Sequence, residues 1–270
     1  MTETVRPIQP STFGARAWKP FADYRFALGN TVVALSTEEF AHTIAAFPIA
    51  FTVGDTPTPV AVLGLRPGSN LFVAPNGQWL GPYIPAALRG YPFRLMRIDD
   101  DQFALGYDEA SGLLVAEGQG EPFFGPDGQP AEKVDATLKF LMNVNRGQQA
   151  AAALAAKLAA AGVLEPWPLQ IKDKEQVTSV NGLLRVSEQA LNALADDAFL
   201  ELRRAGALAL AYAQLLSTAN IAALGRLAQL HAKHAEDLDR QATATNHLLG
   251  SSEANSQDTI DIDALLPGGN

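Results

Sequence analysis

The run FFGPDGQPAEKVDATLKFLM, residues 123–142, is where the pattern of the chain changes. Its first part, Phe123-Phe124-Gly125-Pro126-Asp127-Gly128, reads as a strand end followed by a turn. From about Lys133 the apolar period lengthens from two to 3.6, so that Val134, Leu138, Leu141 and Met142 fall on one face of a helix. An alanine-rich continuation carries that helix to Ala161, and Gly162 stops it. Strands are expected before the switch and helices after it. Such segregation argues an α+β fold of mostly antiparallel short strands, packed with a helical C-terminal half, rather than a doubly wound parallel sheet.

Upstream of the switch, Val-, Leu-, Phe- and Trp-rich runs predict strands over 31–35, 49–53, 59–65, 71–74, 78–80, 92–98, 103–107 and 113–116. Pro75-Asn76-Gly77 between two of them accepts the positive φ of a tight hairpin. Ser36-Thr37-Glu38-Glu39 ahead of FAHTIAAF predicts a capped short helix with a carboxylate in its first turn. Residues 1–17, polar and proline-bearing without periodicity, are expected to form a flexible arm, and 18–28 an extended segment anchored on the core.

Downstream, 164–177 is a proline-interrupted connector with room for a strand, Asn181-Gly182 is a turn, and 183–186 suits a short strand. Ser187 is placed to cap a helix over 188–194. Helices follow over 197–216 and 220–240, the last with the apolar stripe Ile221, Leu224, Leu227 and Leu230. The organisation expected is an arm (1–17), one α+β domain (18–240, strand-rich to 130 and helical from 131), and an acidic, disordered tail (241–270) with TIDIDALL as a short docking segment.

The formal charge of −9 works against nonspecific binding to nucleic acid or anionic membranes, since phosphate repulsion would have to be overcome locally. The chain has no cysteine, which excludes disulfides, zinc–thiolate sites and thiol nucleophiles. The N-terminus lacks a signal-peptide pattern, and the apolar run 150–163, interrupted by Lys157, is too short to span a bilayer. A soluble, cytoplasmic protein with no membrane span is expected.

The motifs of common chemistries are missing. There is no G-x-S-x-G elbow and no glycine-rich phosphate cradle; Glu117-Gly118-Gln119-Gly120-Glu121 carries carboxylates that would repel phosphate and reads as a turn. His231 and His234, with Asp237 beyond, have a spacing that suits a metal but sit in HAKHAEDLDR, a solvated helix face. Asp99-Asp100-Asp101 reads as a hairpin loop, because consecutive side chains rarely point at one centre. No spacing selects a catalytic pair from Asp108, Glu109, Glu117 and Glu121.

The dense feature is the stretch 81–107, GPYIPAALRGYPFRLMRIDDDQFALGY. Trp79, Tyr83, Tyr91 and Phe93 interleave there with Arg89, Arg94 and Arg97, residue types that carry binding energy at interfaces. Two readings stand side by side. The aromatics are core and the arginines pair with the nearby aspartates, or Trp79, Tyr83, Arg89, Tyr91 and Arg94 form a recognition surface. Pro85 and Pro92 fix the backbone on either side of Arg89.

The run NLFVAPNGQWLGPYIPAALRGYPFRLMR, residues 70–97, resembles the SapC family of bacterial proteins. The resemblance rests on Phe47-Pro48-Ile49, Asn70, Phe72, Val73, Trp79, the block Tyr83-Ile84-Pro85 through Arg89 to Tyr91-Pro92-Phe93, Glu121-Pro122-Phe123-Phe124 with Asp127-Gly128, and Asn181-Gly182-Leu183. Phe47 stands where a tyrosine is common. The resemblance covers about 18–235 and implies a link to surface-array gene clusters. It also implies neighbourhood with tryptophan-halogenase-like flavoproteins, cupin-like hydroxylases and TonB-dependent receptors. It brings no catalytic residue with it.

Three functions are therefore expected in order. The first is a non-catalytic accessory protein that recognises a peptide, an aromatic metabolite or a partner enzyme such as a halogenase-like flavoprotein. The second is a metal- or cofactor-dependent modifying enzyme drawing on His42, Asp99, Asp101, Glu117 and Glu121. The third is a structural or oligomeric protein of the cell surface layer, using the alanine-rich helix 148–161. No particular cofactor is indicated.

Overall fold

The computed structural model describes residues 4–99, 102–173 and 176–253. The chain divides into two compact units, Met1–Leu227 and Ala228–Asn270. The first is α+β, and its described residues form four sheets whose strand pairs are antiparallel.

The largest sheet runs in the order Leu164–Pro166, Leu183–Val186, Ile49–Thr52, Pro59–Val62 and Val32–Ala34. Its centre is made of IAFT paired with PVAV, where Ile49 faces Ala61 and Phe51 faces Pro59. All these residues but Thr52 are buried, so both faces of the sheet centre are covered, which a near-continuous apolar run permits and an alternating one would not. Two of the five strands come from beyond the long helix. The expected segregation is therefore incomplete, and the connector 164–177 supplies an edge of the N-terminal half's own sheet.

Within the expected arm, the described residues 4–17 are built into the fold. Val5–Pro7 pairs with Phe103–Asp108, which in turn pairs with Phe93–Arg97. Arg16–Trp18 lies between Leu114–Ala116 and Glu121–Pro122. Phe13, between these strands, is 1% exposed and packs with Trp18, Phe93, Tyr107 and Phe123 in an aromatic core. Three-residue strands show no period, so only their tertiary partners reveal them.

The helix Glu132–Ala160 joins two cores. Val134 and Leu141 enter the aromatic cluster, while Ala155 and Leu158 enter a second cluster with Phe51, Val186, Leu191, Leu202 and Leu210. Its end is as the sequence predicts. Gly162 takes φ +70°, and the N–H groups of Gly162 and Val163 reach back to the carbonyls of Ala159 and Leu158.

The predicted helix 197–216 breaks at Gly206 (φ +78°) into Asp196–Ala205 and Ala207–Ser217. The second of these seals the large sheet with side chains. Gln214 Oε1 accepts from the Val186 N–H at 2.9 Å, its Nε2 donates to the Ile49 carbonyl at 3.3 Å, and Ser217 Oγ accepts from the Ile49 N–H at 2.9 Å. Strand pairing between Leu183–Val186 and Ile49–Thr52 runs over Leu183↔Thr52 and Leu184↔Phe51, and the glutamine amide takes over where the ladder stops.

The last helix is longer than expected, Ile221–Glu253. The tail 241–270 thus begins within it, and 254–270, including TIDIDALL, lie outside the described residues. The helical stretch Ala207–Thr243 is long and apolar enough, by length and composition, to cross a membrane. Of its residues, Ala207, Leu210, Ala211, Ala213, Gln214, Ser217 and Leu224 are buried within the protein.

Candidate functional site

Ser36 and Glu39 open the turn of helix Thr37–Glu39 and are each 2% exposed. The Ser36 N–H and hydroxyl both donate to Glu39 Oε2 at 3.0 Å, and the N–H bond is the glutamate's half of a capping box. That uses one carboxylate oxygen. The other, Oε1, accepts the Tyr83 hydroxyl at 3.1 Å and the Ala86 N–H at 2.5 Å. A buried carboxylate is costly unless its oxygens are hydrogen-bonded, and here four donors solvate it.

Tyr83 passes this order outward. Its hydroxyl proton goes to Glu39, and its oxygen accepts from Arg89 Nη2 at 3.0 Å. The Arg89 guanidinium carbon sits 5.5 Å from the ring centres of both Tyr83 and Phe140, held between two π faces. Behind the tyrosine, Trp79 Nε1 donates to the Tyr83 carbonyl at 2.7 Å, and His42 stacks on the Tyr83 ring at 5.1 Å and 11°. Burial first, then the negative charge of Glu39, pushes the Tyr83 hydroxyl up to about 12, against the opposing pull of Arg89. The phenol therefore stays protonated at neutral pH.

These groups wall a cavity of about 480 Å³, bounded by Glu38, Glu39 and His42, by Tyr83 and Arg89, and by Phe140, Asn143 and Arg146 of the long helix. Gly147 lets that helix approach. A Cβ there would stand 2.1 Å from Glu38 Oε2 and 2.7 Å from Ser36 Cβ. Arg146 Nη1 donates to Asn143 Oδ1 at 3.3 Å.

The structure separates the aromatic–arginine block of the sequence. Tyr83 and Arg89 line the cavity, and Trp79 supports Tyr83 from behind. Tyr91 lies elsewhere, stacked on Phe26 at 3.9 Å and 4°, with burial raising the pKa of its hydroxyl. Arg94 is exposed on the strand Phe93–Arg97 and does not line the cavity.

Among the metal-ligand candidates, His42 faces the cavity, and Asp99, Glu117 and Glu121 do not. Asp101 lies outside the described residues. Glu121 pairs with Lys133, and Asp237 with Arg240. Among the described residues no three His, Asp or Glu side chains gather closely enough to hold a metal ion.

Sequence reading missed Glu39, Phe140, Asn143 and Arg146. Only Glu39 carried a signal, the S-x-x-E spacing of a capping box.

A second cavity of about 600 Å³ is lined by Glu165, Trp167, Arg185, Gln214 and Thr218, among others. There Arg185 and Glu165 answer one another. Arg185 Nη2 and Nε both reach Glu165 Oε1 at 2.8 Å, and hydrogen bonds from Ser187 and Arg185 hold the Glu165 carboxyl below its usual range.

The SapC family model matches residues 8–224, well over half of the chain. No curated protein and no solved structure matches it.

Proposed function

This chain belongs to the SapC family, and from that premise we propose that it is a binding or accessory protein whose ligand sits in the cavity between Glu39, Tyr83 and Arg89. The ligand is a peptide, an aromatic metabolite or a segment of a partner enzyme, and the protein performs no covalent chemistry on it. A cytoplasmic role beside halogenase-like flavoproteins belongs to the same proposal.

The observation that carries this reading is the chain of bonds from Glu39 through Tyr83 to Arg89. The tyrosine's one proton is committed to Glu39, and its raised pKa keeps it protonated at neutral pH, so this phenol is spent on position. What it positions is a guanidinium, a residue type suited to recognition. A volume of about 480 Å³ falls within the range of small-molecule sites.

The test is capture from the native cell lysate on immobilised protein, wild type against a folded Arg89→Met variant, with mass spectrometry of retained proteins and small molecules. A species held by wild type and lost with Arg89 is the expected result. Identical captures by the two proteins would overturn the proposal.

A further inference from the structure

Resting on the reading that this cavity binds a ligand, we infer that it is built for a carboxylate: a singly charged acid joined to a planar or apolar body. Two guanidiniums line it, Arg89 and Arg146, and among the described residues neither has a carboxylate within ion-pair distance. Arg89 spends one bond on Tyr83 and Arg146 one on Asn143. A guanidinium carries five N–H donors in a rigid fork, so donor capacity remains on both.

The matching anion is not supplied by the cavity's own acids. Glu39 is already saturated by four donors, none of them an arginine. Glu38 lies against Gly147 on the same wall and, among the described residues, forms no ion pair. The balance of charge then decides the class. With two arginines facing two carboxylates the wall has no net attraction to offset the larger desolvation cost of a doubly charged phosphate, which favours a monoanion. The planar fork also favours a carboxylate. The rings of Phe140, Tyr83 and His42 line the cavity beside the guanidinium and give the body of the ligand an aromatic wall.

A free aromatic acid and the C-terminus of a peptide share this chemistry, and one calorimetric experiment on the full chain separates them. The probes are benzoate against benzamide, a short peptide ending in a free phenylalanine carboxylate against its C-terminal amide, and inorganic phosphate. At least one acid should bind, with its amide and the Arg89→Met variant each about tenfold weaker or worse, and with phosphate failing to compete. Benzoate alone binding identifies a small acid, and the peptide acid alone a chain terminus. Equal binding of acid and amide overturns the inference, as does phosphate outcompeting the acids. So does failure of both acids while Arg89-dependent capture from lysate succeeds. If that capture also fails, the binding reading falls, and the carboxylate assignment with it.

Discussion

The carboxylate of Glu39 accepts the hydroxyl proton of Tyr83 at 3.1 Å, joining positions 44 residues apart. Because the same carboxylate also caps its own turn through Ser36, one buried charge fixes both a local backbone conformation and a distant side chain. Replacing Glu39 with Gln removes that charge from four donors and should destabilise the fold by about 1–3 kcal/mol in denaturant titrations. It should also lower the Tyr83 pKa from about 12 towards 10.0, though not fully, because burial is the larger cause. Spectrophotometric titration reads the second effect. An unmoved titration with unchanged stability would show that Glu39 does not organise the site.

The raised hydroxyl gives stability a pH dependence of known sign. Tyr83 keeps its proton in the folded chain up to about 12, whereas the unfolded chain loses it near 10.0. The contribution is fully present below pH 10.0 and is lost as pH rises through the folded value. Burial raises Tyr91 and Tyr107 as well, so they add slopes of the same sign. Denaturation midpoints should fall through this window, and Tyr83→Phe should flatten part of the fall. A slope unchanged in that variant would refute the assignment to Tyr83.

Two glycines in helices should respond oppositely to alanine. At Gly225 nothing stands within 4 Å of an added Cβ, so Gly225→Ala should stabilise by about 0.5–1 kcal/mol. At Gly147 the same helical gain meets Glu38 Oε2 at 2.1 Å and Ser36 Cβ at 2.7 Å. The glutamate tip can swing aside, but the serine Cβ is fixed to the capped turn. Overpacking costs about 1–3 kcal/mol, so Gly147→Ala should be neutral to destabilising and should weaken binding in the cavity. Equal stabilisation at both positions would mean that the turn is free to retreat.

Gln214→Ala should cost about 2 kcal/mol or more, because it strands the Val186 N–H and the Ile49 carbonyl in a buried setting. Hydrogen exchange at the Val186 amide should quicken selectively. Unchanged protection there would place the seal of the sheet elsewhere.

Much of the fold was legible because long periodic segments declare themselves. The helix from Glu132, its stop at Gly162, the strands at 49–52, 59–62 and 103–108, and the family signature around Tyr83 to Phe93 all follow from local pattern. What local pattern hides is pairing at a distance. Residues 5–7 and 16–18 pair as strands of three, too short to show a period, and Gly206 divides one apolar helix pattern without altering its composition. The cavity was half visible for the same reason. Arg89 and Tyr83 lie together in sequence, but Glu39, Phe140 and Arg146 reach them only through the packing of the 36–42 turn against the long helix. Tyr91 and Arg94, close in sequence, follow a different path: the one packs on Phe26 and the other is an exposed residue of an edge strand.

The central claim is that Arg89, set by Tyr83 and Glu39, contacts the ligand. An experimental structure of the protein loaded with the species captured from native lysate tests it most directly. The account predicts density between Arg89, Phe140 and Arg146, within hydrogen-bond reach of the Arg89 guanidinium. A ligand seated instead in the cavity of Glu165, Trp167 and Arg185, with the Glu39 side empty, would contradict it.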